Sequence, residues 1–320
     1  AMSRQVVNAD KPHRWKKDIA ASVDYFNQWF IAFAPETFRS TRVVTTGHVI
    51  RALHVTDDLR RLDVTTLRSN PGILPTLRMC TAPPLAVDRL VGLTGVSRNL
   101  IERLEQGELP IRIVSADLDR ALAKICDILS RLLDRDIFPW LVNGTKPNDQ
   151  ERDRSATIIA DRLCSAVANP IIRNAQEQRQ LTLIGKYLEQ LGYRKQPHPL
   201  EKPITEMEAG TFTFHLKVLV GTMHKVNIPI DVVIQPVQLR QDRLPVLIEA
   251  KSAGDFTNTN KRRKEEAMKV RQLRETFGQN VTFVLFLCGY FGSDYLGYVA
   301  AEGIDWVWEH RIDDLKHLGL

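Results

Sequence analysis

A chain of 320 residues with 43% hydrophobic content can build one large or two ordinary domains with proper cores, and two is the division expected here. No run of about 18 uncharged apolar residues occurs, which excludes a simple membrane-spanning helix, and the N-terminal stretch, rich in Lys, Arg and Asp, lacks the apolar core of a signal peptide. A net charge of +6 permits nucleic-acid binding without establishing it, and four scattered cysteines with no CxxC pair, Cys80, Cys126, Cys164 and Cys288, read as reduced, buried thiols of a cytosolic protein, not as a zinc site or a disulfide frame.

Over residues 13–33 the spacing of Trp15, Ile19, Val23, Phe26, Phe30 and Phe33 predicts a helix that Pro35 ends, with its aromatics read as core. Helical segments continue through 47–61 and, after a Pro/Gly-rich passage at 70–84, into 85–107. Within that last stretch Leu90 and Leu93 close one short helix, Gly95 permits a tight turn, Ser97 is a good N-cap, and Ile101 and Leu104 give the next helix a buried side. The segment is similar to the helix-turn-helix of phage-repressor-like proteins, although Val91 stands where that pattern prefers a small residue. The similarity implies that Ser97, Arg98, Asn99 and either Glu102 or Arg103 lie at base edges in the major groove; a purely structural helical hairpin is the other reading. Residues 117–133 form another amphipathic helix, 145–154 read as a polar linker or exposed loop, and 157–167 are helical again. No strand is expected before Asn169, so residues 1–168 read as an all-α domain, with the boundary at Asn169-Pro170.

The second half changes character. A helix over 174–193 carries the apolar stripe Leu181, Ile184, Leu188 and Leu191. Continued back one turn, the stripe reaches Glu177, which should face a sheet, whereas Glu189 lies off the stripe and should be solvated. Residues 211–220 alternate as a half-buried strand, with Phe212, Phe214, Leu216, Val218 and Val220 on one side. Two short apolar runs, 230–234 and 246–250, read as a hairpin whose pairing can bring Asp231 beside Glu249. Glu249 and Lys251 point to the same face of their strand, and such charges are costly to bury unless they are paired or hold a metal; a solvated ion pair at an exposed strand end is the alternative. Two carboxylates there suit Mg²⁺, and Lys251 beside them could orient or help deprotonate an attacking water. Residues 260–277 then form a basic helix with Ala267, Val270, Leu273 and Phe277 inward, and 281–287 a central strand covered on both faces.

The order helix, three strands, helix, strand resembles the α/β core of the PD-(D/E)xK nucleases. Asp231, followed eighteen positions on by Glu249-Ala250-Lys251, looks like their signature, with its proline at Pro229 and one extra residue, Ile230, before the aspartate. The first helix of that core often adds a carboxylate, for which Glu177 is the matching position. Across nearly its whole length the chain resembles type II restriction endonucleases of the XamI kind. The likeness is carried by VNADKPHRWKKDIAASVDYFNQWF at 7–30, the 85–110 segment, NPIIRNAQEQRQL at 169–181 and IEAKSAGDFTNTNKRRKEEAMKVRQL at 248–273.

This resemblance implies an α+β protein of two domains: a helical DNA-recognition domain, 1–168, with a helix-turn-helix at 85–107, and a PD-(D/E)xK nuclease domain, 169–320. It further implies cleavage of both strands of a short double-stranded DNA sequence in the bacterial cytoplasm by a Mg²⁺-dependent homodimer, with Mn²⁺ able to substitute. Asp231 and Glu249 would hold the metal, Glu177 would complete a second site, and Lys251 would act on the water. Asn258 and Asn260, in a polar loop, would lie at the DNA, with Lys261, Arg262, Arg263 and Lys264 as phosphate contacts; a solvated helix face answered by Glu265 and Glu266 is the other reading of that basic run. Two further functions fit the same residues: a nuclease of this core used in repair or by a mobile element, and a non-enzymatic helix-turn-helix regulator.

Overall fold

The structure, a computed structural model, describes residues 6–110, 114–221, 225–257 and 259–320. Its helices are α1 (Pro12–Val55), α2 (Val64–Ser69), α3 (Leu74–Met79), α4 (Val87–Thr94), α5 (Arg98–Glu105), α6 (Ser115–Leu132), α7 (Trp140–Asn143), α8 (Asp149–Gln190), α9 (Thr259–Phe277) and α10 (Ser293–Ala301). Its strands are β1 (Arg194–Lys195), β2 (Thr211–Val220), β3 (Val226–Gln235), β4 (Val246–Ala253), β5 (Thr282–Gly289) and β6 (Asp305–Trp308). No helix among the described residues is long and apolar enough to cross a membrane.

The chain divides into two compact units, one of Ala34–Ile172 and one of Ala1–Phe33 with Arg173–Leu320. Residues 1–33, expected with the helical half, thus belong with the sheet. Pro35 does not end its helix and Asn169-Pro170 is not a break, because α1 runs through Pro35 and α8 through Pro170. An internal proline costs one backbone hydrogen bond and roughly 3 kcal/mol, which the many other bonds of helices 44 and 42 residues long can absorb. Both prolines nonetheless sit beside the points where the chain passes from one unit to the other.

The helical unit is built on a core that includes Leu67, Leu74, Leu77, Leu90, Ile101, Leu104, Leu122, Ile125, Leu129 and Trp140, all fully buried. Trp140 Nε1 donates to the Asp58 carbonyl at 2.8 Å, and the Asp58 carboxylate takes a two-point bond from Arg152 at 3.0 and 2.9 Å. The α4–α5 corner follows its sequence closely. Gly95 takes the left-handed conformation, φ +66°, at the end of α4, and the Ser97 hydroxyl caps α5 by accepting from the Leu100 N–H at 3.3 Å. Of the two leucines that close α4, Leu90 is buried and Leu93 exposed.

The other unit is a six-stranded mixed sheet in the order β1-β2-β3-β4-β5-β6. β2, β3 and β4 form an antiparallel meander, and β4, β5 and β6 are parallel, joined by the crossover helices α9 and α10. Val270 and Leu273 of α9, Tyr295, Leu296 and Val299 of α10, and Trp15 and Ile19 of α1 cover one face. Leu181, Ile184 and Leu188 of α8, with Leu315 and Leu318 near the C-terminus, cover the other. β5 is buried throughout, its residues alternating between the two cores, as a central strand between two helical layers must be. The N-terminal segment is fixed to β6, where the Asp305 carboxylate accepts the backbone N–H groups of Val7, Asn8 and Ala9. All four cysteines are buried free thiols, and burial pushes Cys126 up to about 11, far from reactive thiolate.

Candidate active site

Strand alternation fails in one place, and the site is built there. Phe212 and Phe214 pack on the α8 side of the sheet, but Leu216, Val218 and Val220 of the same strand pack on the α9 side, so the expected single face of β2 is divided. β3 changes phase at the facing position: Ile228 and Ile230 lie on the α9 side, Val232 and Ile234 on the α8 side. Between the paired positions Phe214↔Val232 and Leu216↔Ile230 stand His215 and Asp231, and His215 has φ +53°. A left-handed non-glycine residue within a strand costs about 1–3 kcal/mol, and here it releases both side chains from the pleat.

β3 and β4 pair as Val232↔Ile248, Val233↔Leu247 and Ile234↔Val246, which puts Asp231 and Glu249 at the next cross-strand position, just where the ladder opens. The Ala250 N–H left over from the ladder donates instead to Asp231 Oδ2 at 2.8 Å. On the α8 side, Glu177 is half-buried and points at the sheet on the stripe of Leu181, Ile184 and Leu188, whereas Glu189 is exposed. One turn on, the Gln180 amide donates to the Lys251 and Phe286 carbonyls at 3.3 and 3.4 Å, fixing α8 to the ends of β4 and β5. Ligand atoms of Glu177, His215 and Asp231 all lie within 4.8 Å of one another.

Glu249 is occupied otherwise. Its Oε1 accepts from Lys251 Nζ at 3.0 Å and from Lys269 Nζ of α9 at 2.7 Å, while its Oε2 is buried without a hydrogen-bond partner among the described residues. Glu266, also on α9, is 1% exposed and stands 3.7 Å from Lys251 Nζ. Burial, with Glu249 nearby, pushes the Asp231 carboxyl up to about 6, against the stabilising Ala250 bond. Burial alone would lower the Lys251 ammonium, but Glu249 and Glu266 raise it above the ordinary lysine value. Burial likewise lifts Glu266 above the usual carboxylate range, with Lys251 opposing.

The sequence-derived set therefore divides. Asp231, Glu249, Lys251 and Glu177 converge on the end of β3 and β4, with Glu249 and Lys251 joined directly. His215, Glu266 and Lys269 are additions that only the geometry supplies. Glu266 carried a signal, since it continues the stripe of Val270, Leu273 and Phe277 back by one turn, as Glu177 continues that of α8. His215 carried none, because its residue type fits the outward face of a regular strand.

Elsewhere, Ser97 and Asn99 are exposed at the start of α5. Arg98 is ion-paired with Asp88 and, at 2.9 Å, with Glu102, and Arg103 with Glu108 at 3.7 Å. Arg263 packs over the Tyr298 ring at 4.8 Å, and Lys264 is exposed. Asn258 and the side chains of Asn260, Lys261 and Arg262 lie outside the described residues.

A profile of the XamI restriction endonuclease family matches residues 57–308. The type II restriction enzyme SalI of Streptomyces albus G is 52% identical over 314 residues, 98% of this chain and 100% of that protein. The type II restriction enzyme XamI of Xanthomonas campestris pv. amaranthicola is 26% identical over 126 residues, 39% of this chain and 42% of its own. A crystal structure of a Vibrio cholerae protein aligns over 89% of this chain and 55% of that chain at a TM-score of 0.29 and 12% identity, too slight a likeness to inform the fold.

Proposed function

The chain belongs to the XamI family of type II restriction endonucleases, and on that premise we propose that it cuts both strands of a short DNA sequence by cation-assisted attack of water at the Asp231 strand end. The observation that carries this reading is the convergence of Asp231, Glu177 and His215 within 4.8 Å beside the Glu249–Lys251 pair. A phosphodiester is an anion that repels nucleophiles and has a poor alkoxide leaving group, so charge neutralisation and a positioned water must supply the rate.

The residues fit a divalent cation. Asp231 and Glu177 offer the hard oxygens that Mg²⁺ and Mn²⁺ take, His215 adds an imidazole nitrogen beside them, and Glu249 Oε2 is a buried oxygen with no hydrogen-bond partner among the described residues. Bound there, the cation would lower the pKa of a water ligand and neutralise charge on the phosphate. Lys251, its ammonium held protonated between Glu249 and Glu266, orients the water and donates to a phosphate oxygen; it is poorly suited to take a proton. Asp231 must itself be ionised to bind a cation. Plasmid digestion with Mg²⁺ tests the whole reading: discrete fragments are expected, while a smear would indicate a nuclease without site preference and intact plasmid a binding protein.

The two faces of α8 give a sharper expectation. Glu177→Gln should slow cleavage by about 10²-fold, roughly 2.7 kcal/mol of transition-state stabilisation, and Glu189→Gln should leave the rate near that of the parent. Equal rates for the two variants in single-turnover assays would remove Glu177 from the site.

For sequence reading we propose that α4 and α5 act as a helix-turn-helix, with α5 in the major groove. Asn99 is exposed, whereas Arg98 would first have to leave Asp88 and Glu102. Asn99→Ala should therefore cost about 1–3 kcal/mol with cognate duplex and little with scrambled duplex. Titrations of both duplexes at several salt concentrations check this, and retained discrimination would make α4–α5 scaffold. Of the basic run, Lys264 is exposed and can meet phosphate, while Arg263 has its face against Tyr298. A homodimer would match the two-fold symmetry of a palindromic site.

A further inference from the structure

Helix α9 brings two opposite charges to the site, Glu266 and Lys269, one turn apart. Glu266 is buried beside Lys251, so the Lys251 ammonium is shared between two carboxylates, Glu249 and Glu266. Lys269 differs. Its Nζ lies 2.7 Å from Glu249 Oε1, the same oxygen that Lys251 holds at 3.0 Å, and 3.1 Å from the Pro229 carbonyl of β3. Two ammoniums thus crowd one oxygen of a buried carboxylate, while its other oxygen, also buried, has no hydrogen-bond partner among the described residues.

A carboxylate that must later bind a divalent cation is expensive to keep buried and bare. A resident monovalent cation lessens that cost, yet it opposes the arrival of the divalent one, because like charges on a single oxygen repel strongly in a partly dry site. Lys251 is unsuited to leave, since it is held by carboxylates on two elements. Lys269, on a flexible four-carbon stem whose other bond is to a backbone carbonyl, can swing aside without leaving a buried charge unpaired.

We propose that Lys269 is a positioning residue that holds Glu249 in the DNA-free protein as an internal counter-ion and gives up that carboxylate when a divalent cation enters, so that it sets how tightly the free enzyme binds metal. This rests on the reading of Glu249 as a ligand. The test is calorimetric titration of the DNA-free protein with Mn²⁺, and with Ca²⁺ as a second ion. Lys269→Gln keeps a donor for Glu249 and Pro229 but removes the charge, and should tighten binding about tenfold; Lys269→Arg keeps the charge and should not. Thermal melting without metal verifies that each variant is folded. Unchanged or weaker Mn²⁺ affinity in Lys269→Gln, while Glu249→Gln weakens binding in the otherwise unaltered protein, would overturn the role of Lys269 alone. Unchanged affinity in Glu249→Gln would instead remove Glu249 from the ligand set, and the inference with it.

Discussion

Asp231→Asn is expected to lower cleavage by about 10³-fold or more while leaving DNA affinity intact or raised. The asparagine oxygen can still accept the Ala250 N–H, so the strand end keeps that bond and the fold should survive. What is lost is the negative oxygen that a cation needs, a loss of several kcal/mol in a site that relies on charge neutralisation. Removing a carboxylate from beside the phosphates also removes repulsion, so binding should not suffer. Single-turnover cleavage and Ca²⁺-supported duplex binding measure the two effects separately; a folded variant that cuts normally, or that no longer binds DNA, would sink the assignment.

The same residue gives a pH dependence. Burial and Glu249 lift its pKa to about 6 from 3.8, so cleavage by the parent enzyme should fall as pH drops below about 6. Stability moves the other way. A carboxyl whose folded pKa is raised binds its proton more tightly when folded, so this contribution is complete below about pH 4 and disappears as pH rises through about 6. In metal-free melts between those limits, Asp231→Asn should lose less stability with rising pH than the parent does.

Gly289→Ala should be the most destabilising small change in the sheet unit. Gly289 ends β5 at φ +101°, a conformation that side chains rarely adopt, and a Cβ there would sit 2.1 Å from the Ala253 carbonyl oxygen and 3.2 Å from the Phe26 ring. Its N–H donates to the Ser22 hydroxyl at 2.8 Å, and the Tyr290 N–H donates to that same Ala253 carbonyl at 2.9 Å. The methyl group must therefore part the ends of β4 and β5, two residues beyond Lys251, or displace the first helix from the sheet. Backbone strain and the lost bonds together should cost about 3–5 kcal/mol, a fall in melting temperature of roughly 10 °C for a unit of this size. A melting temperature within a degree or two of the parent would mean that these strand ends yield far more easily than the packing implies.

The elements whose causes are local are legible in the sequence by itself. Ser97 capping α5, Gly95 turning left-handed after α4, the buried stripe of α6, the apolar continuity of β5 and the β3–β4 hairpin all follow from residue type and periodicity within a few turns of chain. Glu177 on the sheet-facing side of α8 and the proximity of Asp231 to Glu249 are readable for the same reason, since stripe and register each follow from spacing. The family, too, is visible in the stretch around Glu249-Ala250-Lys251.

Tertiary structure alone decided the rest, because contacts between residues far apart leave no local period. Asp305 gathering the N–H groups of Val7, Asn8 and Ala9 across almost the whole chain ties the N-terminal segment to the sheet, although its helical spacing groups it with the helices. Pro35 and Pro170 look like helix ends, yet the long helices around them outweigh one missing bond each. His215 reads as an ordinary outward residue until β2 and β3 change face together, and that exchange of strain for a freed carboxylate is a property of two strands at once. Lys269 and Glu266 sit in a basic helix whose charges can answer one another along its own surface; only the crossover that lays α9 over β4 turns two of them inward, where a low-dielectric setting makes one lysine on one carboxylate matter.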